Sequence, residues 1–129
     1  MPFAKHLRVL VVDDTSVSRA LICNCLDEMG ILNHPIAADG EAALKSLMAT
    51  PAHLVISDLN MPKLDGLGLL RALREYAPTR TVGFILVTGR GDRSILDQGR
   101  KYGLNNYVAK PFTTASVKAS VEAVVGKLV

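Results

Sequence analysis

The sequence predicts a single α/β domain over residues 1–129, a doubly wound parallel sheet of five strands with helices on both faces. Two observations predict it. Short β-branched apolar runs alternate five times with longer segments of helical period, and no linker or low-complexity stretch interrupts them. Three of those runs are continuously apolar, as strands must be when helices cover both faces of a parallel sheet. Alternation at this size means βαβ units joined by right-handed crossovers.

The elements follow in order. Arg8–Val12 is the first strand. After Ser16 the residues Leu21, Cys25 and Met29, flanked by Ile22 and Leu26, form an apolar stripe, and Gly30 stops that helix. His34–Ala38 is a weaker second strand that Pro35 opens. Asp39 caps a second helix carrying Ala43, Leu44, Leu47 and Met48, which ends at Pro51. Leu54–Ser57 is the third strand, and Asp65 caps a third helix whose Leu67, Leu70 and Leu73 face inward. Gly83–Val87 is the fourth strand. A short helix over Arg93–Tyr102 follows, with Gly99 inside it at a cost of about 1 kcal/mol against alanine. Asn106–Ala109 is the fifth strand. The last helix begins after Thr113 and repeats apolar residues at Val117, Val121, Val124 and Leu128.

Composition excludes several classes. A chain of 129 residues, 49% apolar and 21% charged, can bury one core without staples. Lys5 and Arg8 precede only four strongly apolar residues, too few for a secretory signal, and no stretch approaches the roughly 20 residues of a membrane helix. The expected location is the cytoplasm, with no membrane partner. The net charge of +3 is spread over scattered Arg and Lys residues without a basic stripe, so no nucleic-acid partner is expected. Cys23 and Cys25 lie two apart and point different ways on a helix, so neither a shared metal nor a disulfide between them is expected. His6, His34 and His53 have no metal-ligand spacing and read as structural or surface residues.

The chemistry is expected at the carboxyl ends of the strands, where open α/β sheets bind ligands. Asp13 and Asp14 follow the first strand, Asp58 the third, Thr88 the fourth, and Lys110-Pro111 the fifth. Each has a plain explanation alone: a helix cap, a turn hydroxyl, a surface ammonium. Together they bring three carboxylates, a hydroxyl and a cation to one rim. Clustered carboxylates repel unless a cation compensates, and oxygen ligands without Cys or His point to a hard ion such as Mg²⁺. Mg²⁺ held in this way commonly serves phosphoryl chemistry. Competing phosphate sites are missing. No G-x-x-x-x-G-K-[ST] loop occurs, and the turn Asp13-Asp14-Thr15-Ser16 has no glycine. Gly66-x-Gly68 lacks the rest of a dinucleotide fingerprint, and Arg90-Gly91-Asp92 is a chance match to an adhesion tripeptide.

The set Asp13-Asp14, Asp58-Leu59-Asn60-Met61-Pro62, Asp65-Gly66, Thr88, Tyr107 and Lys110-Pro111-Phe112 resembles the receiver domain of two-component response regulators, in its single-domain chemotaxis (CheY-like) form. The resemblance spans essentially the whole chain. It implies a flavodoxin-like (βα)5 fold with strand order 2-1-3-4-5. It also implies that Asp58 is the phosphoacceptor, supplied by a histidine kinase. Asp14, Asp58 and the backbone carbonyl of Asn60 would ligate Mg²⁺ directly, with Asp13 holding it through water. Lys110 would pair with the acyl phosphate, and the Lys110–Pro111 bond is a candidate cis peptide. Thr88 would move inward onto a phosphate oxygen, and Tyr107 would rotate into the space vacated. Arg90 would place a cation where the family admits attacking water.

The chain ends just past the last helix, so the expectation is a monomeric receiver with no attached output domain. It would change affinity for a partner protein, with a flagellar motor switch protein as the chemotaxis candidate. The partner face would comprise the fourth helix, fifth strand and fifth helix, with Tyr107, Lys101 and Lys118. A phosphate sink or relay shuttle would share the chemistry without that output. An aspartate-nucleophile phosphatase is the rival from another class, but it calls for an acid two residues after the nucleophile, where Asn60 stands. No turnover of a separate substrate is expected beyond self-dephosphorylation.

Overall fold

The apolar runs of the sequence become the strands of one parallel sheet. In the computed structural model, which describes residues 3–89 and 93–128, these are β1 (Val9–Val12), β2 (Ile36–Ala37), β3 (Leu54–Asp58), β4 (Gly83–Thr88) and β5 (Asn106–Ala109). The helices are α1 (Ser16–Glu28), α2 (Gly40–Ala49), α3 (Gly66–Glu75), α4 (Arg93–Lys101) and α5 (Thr114–Val125). The strand order is β2-β1-β3-β4-β5, all parallel. From β1 the chain winds first to one side and then to the other, so the order reverses between β1 and β3. The carboxyl ends of those two strands therefore flank the crevice where such sheets bind ligands.

The period of two along each strand divides the core between two faces. Val9, Val11, Ile56, Ile85 and Val87 point to the side of α1 and α5, where Ile22, Leu26, Val117 and Val121 meet them. Leu10, Val12, Val55, Phe84 and Leu86 point to the side of α2 and α3, against Ala43, Leu47, Leu69, Leu70 and Leu73. Each large apolar side chain buried in this way contributes roughly 1.5–3 kcal/mol of transfer free energy.

Local chemistry sets the helix ends. Asp39 accepts from the Ala42 amide at 2.8 Å, and Asp65 accepts from the Gly68 amide at 2.7 Å. Thr113 and Ser116 form a reciprocal capping box at the start of α5. Gly30, with φ of +84°, ends α1 as expected. The α4 helix closes on Gly103, with φ of +86°, and the Leu104 amide donates back to the Gly99 carbonyl at 2.8 Å. Leu104 then packs on Gly99, where an added Cβ would lie 2.9 Å from Leu104 Cδ2. Gly99 therefore makes room for the helix stop, which corrects its reading as a plain cost.

Other corrections come from packing. Leu21 is 52% exposed and Met48 60% exposed, because α1 and α2 turn Ile22 and Leu47 to the sheet instead. Leu69, absent from the expected stripe, is fully buried. Leu128 is buried but lies beyond α5, which stops at Gly126. Strand β2 is shorter than expected, and Arg8 forms only an isolated bridge to Asn33 rather than opening β1. The α4 helix ends at Lys101, one residue before the expected Tyr102. A 3-10 turn over Phe3–His6, which the sequence pattern did not signal, leads into β1 with Ala4 and Leu7 buried. Cys25 is buried in the core, as expected of a small hydrophobe.

Candidate metal centre

Two strand ends and one turn build the centre. Asp13 leaves β1 and is fully buried, Asp14 beside it is exposed, and Asp58 ends β3 with 7% exposure. One carboxylate oxygen from each lies within 4.8 Å of the others. Oxygens of three anions at that spacing repel strongly in a partly desolvated site. Burial raises the Asp58 carboxyl above its ordinary range; the Lys110 hydrogen bond and charge oppose this, Asp13 adds to it, and the Leu59 amide opposes it.

The remaining contacts aim these groups. Lys110 Nζ donates to Asp58 Oδ1 at 2.9 Å, and the Lys110 amide donates to the Thr88 carbonyl at 2.8 Å. The end of β4 and the start of the loop after β5 thus place the ammonium on the carboxylate. The Lys110–Pro111 peptide is cis. Asp13 Oδ1 accepts from the Thr15 amide at 2.9 Å, while Asp13 Oδ2 is buried with no hydrogen-bond partner. A buried carboxylate oxygen costs free energy unless something satisfies it. A hard cation among the three carboxylates would do so, and this all-oxygen donor set fits Mg²⁺.

Thr88 is buried at the carboxyl end of β4, paired in register with Ala109, one residue past the Asp58–Val87 pair. Tyr107 lies on β5, 39% exposed, in register with Leu86. Asn60 follows the site in the β3–α3 loop and is exposed. The structure thus brings Asp13, Asp14, Asp58 and Lys110 together, with Thr88 at the same rim and Tyr107 further back along its strand. Arg90, expected beside the pocket, and the tripeptide Arg90-Gly91-Asp92 lie outside the described residues.

Two residues at this centre take roles that the sequence did not assign: Gly66 enters there only within motifs, and Arg19 not at all. Gly66 opens α3 against Asp58, and a Cβ there would lie 2.5 Å from the Asp58 carbonyl oxygen. Arg19 reaches back from α1 and donates from Nη1 to the Asp13 carbonyl at 2.7 Å. Its available signal was a lone cation in the first turn of the helix that follows the acidic pair.

Comparison with known proteins shows the family of the chain. The profile of the response regulator receiver domain family matches residues 9–122. The chain is 44% identical, over 99% of both sequences, to a probable chemotaxis protein CheY of Rhizobium etli. Its fold is similar to that of the chemotaxis protein CheY4 of Vibrio cholerae, with a TM-score of 0.85 at 25% identity, covering 92% of this chain and 98% of that one. It is also similar to the receiver domain of a Pseudomonas aeruginosa sensor histidine kinase, with a TM-score of 0.84 at 26% identity, covering 94% and 98%. That structure holds a magnesium ion in its active-site cleft. No helix among the described residues is long and apolar enough to cross a membrane.

Proposed function

The chain belongs to the response regulator receiver domain family, and from that premise we propose that Asp58 is the phosphoacceptor of a signalling switch charged by a histidine kinase. One observation carries the reading: three carboxylates from two strand ends share one site, with Lys110 bonded to Asp58 and an orphaned oxygen on Asp13. Receiver domains are signalling proteins rather than enzymes that turn over a separate substrate, and the single Asp58 nucleophile suits one transfer per cycle.

An oxygen of Asp58 attacks the phosphorus of a phosphohistidine. A P–O bond forms, the P–N bond breaks, and the imidazole nitrogen leaves with its electron pair and takes up a proton. Asp13, Asp14, Asp58 and the Asn60 carbonyl would hold Mg²⁺, which when bound offsets the charge of the incoming phosphoryl group. Lys110 then pairs with the phosphoryl oxygens. Thr88 supplies a hydroxyl at the same rim and, drawn inward, couples the site to β4 and to Tyr107. Water attack on the acyl phosphate resets the switch. Exposed Val17 and Leu21 on α1 give a protein donor an apolar approach beside Lys110.

The output is a change of affinity for a partner at the face of α4, β5 and α5. The chemotaxis names of the relatives favour a flagellar motor switch protein over a sink or relay role. The switch acts in the cytoplasm. The phosphatase reading loses its acid at Asn60.

The test is labelling. Acetyl phosphate with Mg²⁺ should add one phosphoryl mass to the chain, and Asp58→Asn should abolish it. Undiminished labelling of that variant by intact mass would overturn the assignment of Asp58.

A further inference from the structure

Asp13 is held at the centre by three hydrogen bonds, and one of them comes from Arg19. Its amide donates to Ala37 on the neighbouring strand, and its Oδ1 accepts from Thr15. Its carbonyl accepts from Arg19 Nη1 at 2.7 Å. The turn between β1 and α1 has no other cap, since Thr15 stands at the N-cap without a side-chain cap bond. Arg19 sits in the first turn of α1, its own amide bonded to the Thr15 carbonyl. That turn contains no acidic residue, although the amino end of a helix favours anions and disfavours a cation. A guanidinium in that position works against the helix field and is offset by the bond it makes to Asp13.

We infer that Arg19 is a positioning residue for the metal centre. It clamps the Asp13 backbone so that Oδ1 stays on the Thr15 amide and Oδ2 is presented, unpartnered, to the cation. The inference rests on the reading of the site as a Mg²⁺ centre, and it separates two effects of opposite sign. By charge alone, a fixed cation near three carboxylates opposes a second cation, so removing Arg19 would tighten Mg²⁺ binding. By positioning, removing it frees the turn and weakens binding, as loss of outer-sphere orientation generally does.

The test is calorimetric titration of the metal-free chain with MgCl₂, for wild type, Arg19→Met and Arg19→Lys. Arg19→Met should bind roughly tenfold more weakly despite the lost positive charge. Hydrogen exchange at the Thr15 amide, the donor to Asp13, should be faster in that variant without metal. Arg19→Lys keeps the charge but lacks the planar fork, so it should fall between the two. Unchanged or tighter Mg²⁺ binding by folded Arg19→Met, or unchanged Thr15 protection, would overturn the inference. Should Arg19→Met not fold, Arg19→Lys decides: wild-type affinity together with wild-type Thr15 exchange would overturn it. A wild type that binds no Mg²⁺ would instead overturn the metal reading itself.

Discussion

Asp58 carries a conflict that pH can expose. Burial holds its carboxyl above the ordinary value of 3.8, against the opposing bond from Lys110. Between the unfolded and the raised folded pKa the folded state binds more protons than the unfolded chain, so stability falls as pH rises through that window. Below the ordinary carboxylate range both states are protonated and the penalty disappears. At neutral pH without metal, Asp58 therefore opposes folding. Asp58→Asn keeps the size of the side chain and an acceptor for Lys110. In EDTA at neutral pH it should have a higher urea midpoint than wild type, and the difference should shrink toward about pH 4 and below. A variant less stable than wild type at neutral pH would show that the desolvation cost is already offset inside the fold. Adding Mg²⁺ should favour wild type over the variant, since only the folded carboxylate cluster binds it.

At the scale of elements, α3 and β3 are joined more closely than any side chain would allow. A Cβ on Gly66 would meet the Asp58 carbonyl oxygen at 2.5 Å, Leu86 Cδ1 at 2.8 Å and the Leu59 Cα at 3.1 Å. Two of these are backbone atoms, so the strand end itself must yield. Gly66→Ala should destabilise the protein by roughly 1–3 kcal/mol, in the range of overpacked cores. It should also slow phosphoryl labelling of Asp58, because the displaced backbone carries the acceptor. Urea unfolding and the labelling rate check the two effects separately, and an alanine variant with wild-type values for both would mean that α3 can slide without moving β3. The contrast with Gly68 is informative: its added Cβ would meet the flexible end of Leu64 at 2.7 Å, which can give way.

Across the whole molecule the packing is uneven. The helices α1, α2, α3 and α5 close over the sheet with several buried residues each, whereas α4 buries Leu96 and Gly99 among its described residues. The carboxyl end of α4 is nonetheless anchored. Arg74 donates to the Gly103 carbonyl and to Asn105 Oδ1, both at 3.0 Å, and Asn105 Oδ1 also accepts from the Phe84 amide. Arg71 lies over the Tyr102 ring at 5.8 Å. An element that buries little along its length can be shifted by a small differential contact. Hydrogen exchange with and without beryllofluoride should show its largest change over residues 93–107, at the face that includes Tyr107. A change confined to α1 would place the output on another face.

Much of this protein was legible in the residues alone, and the reason is range. The five strands follow from runs of neighbouring apolar residues, the caps at Asp39 and Asp65 from contacts within one turn, and the rim of Asp13, Asp14, Asp58, Thr88 and Lys110 from the rule that parallel strands end on one side. What the tertiary structure decided involves residues whose partners are set by packing. A stripe of helical period points a face only approximately, so Ile22 rather than Leu21 meets the sheet, and Leu128 is buried after its helix has stopped. The closeness of Gly66 to Asp58 depends on the approach of a helix to a strand end, and the bond from Arg19 to Asp13 on the angle at which α1 leaves β1. Neither distance is written in periodicity, because each is fixed only when both cores have closed on the sheet.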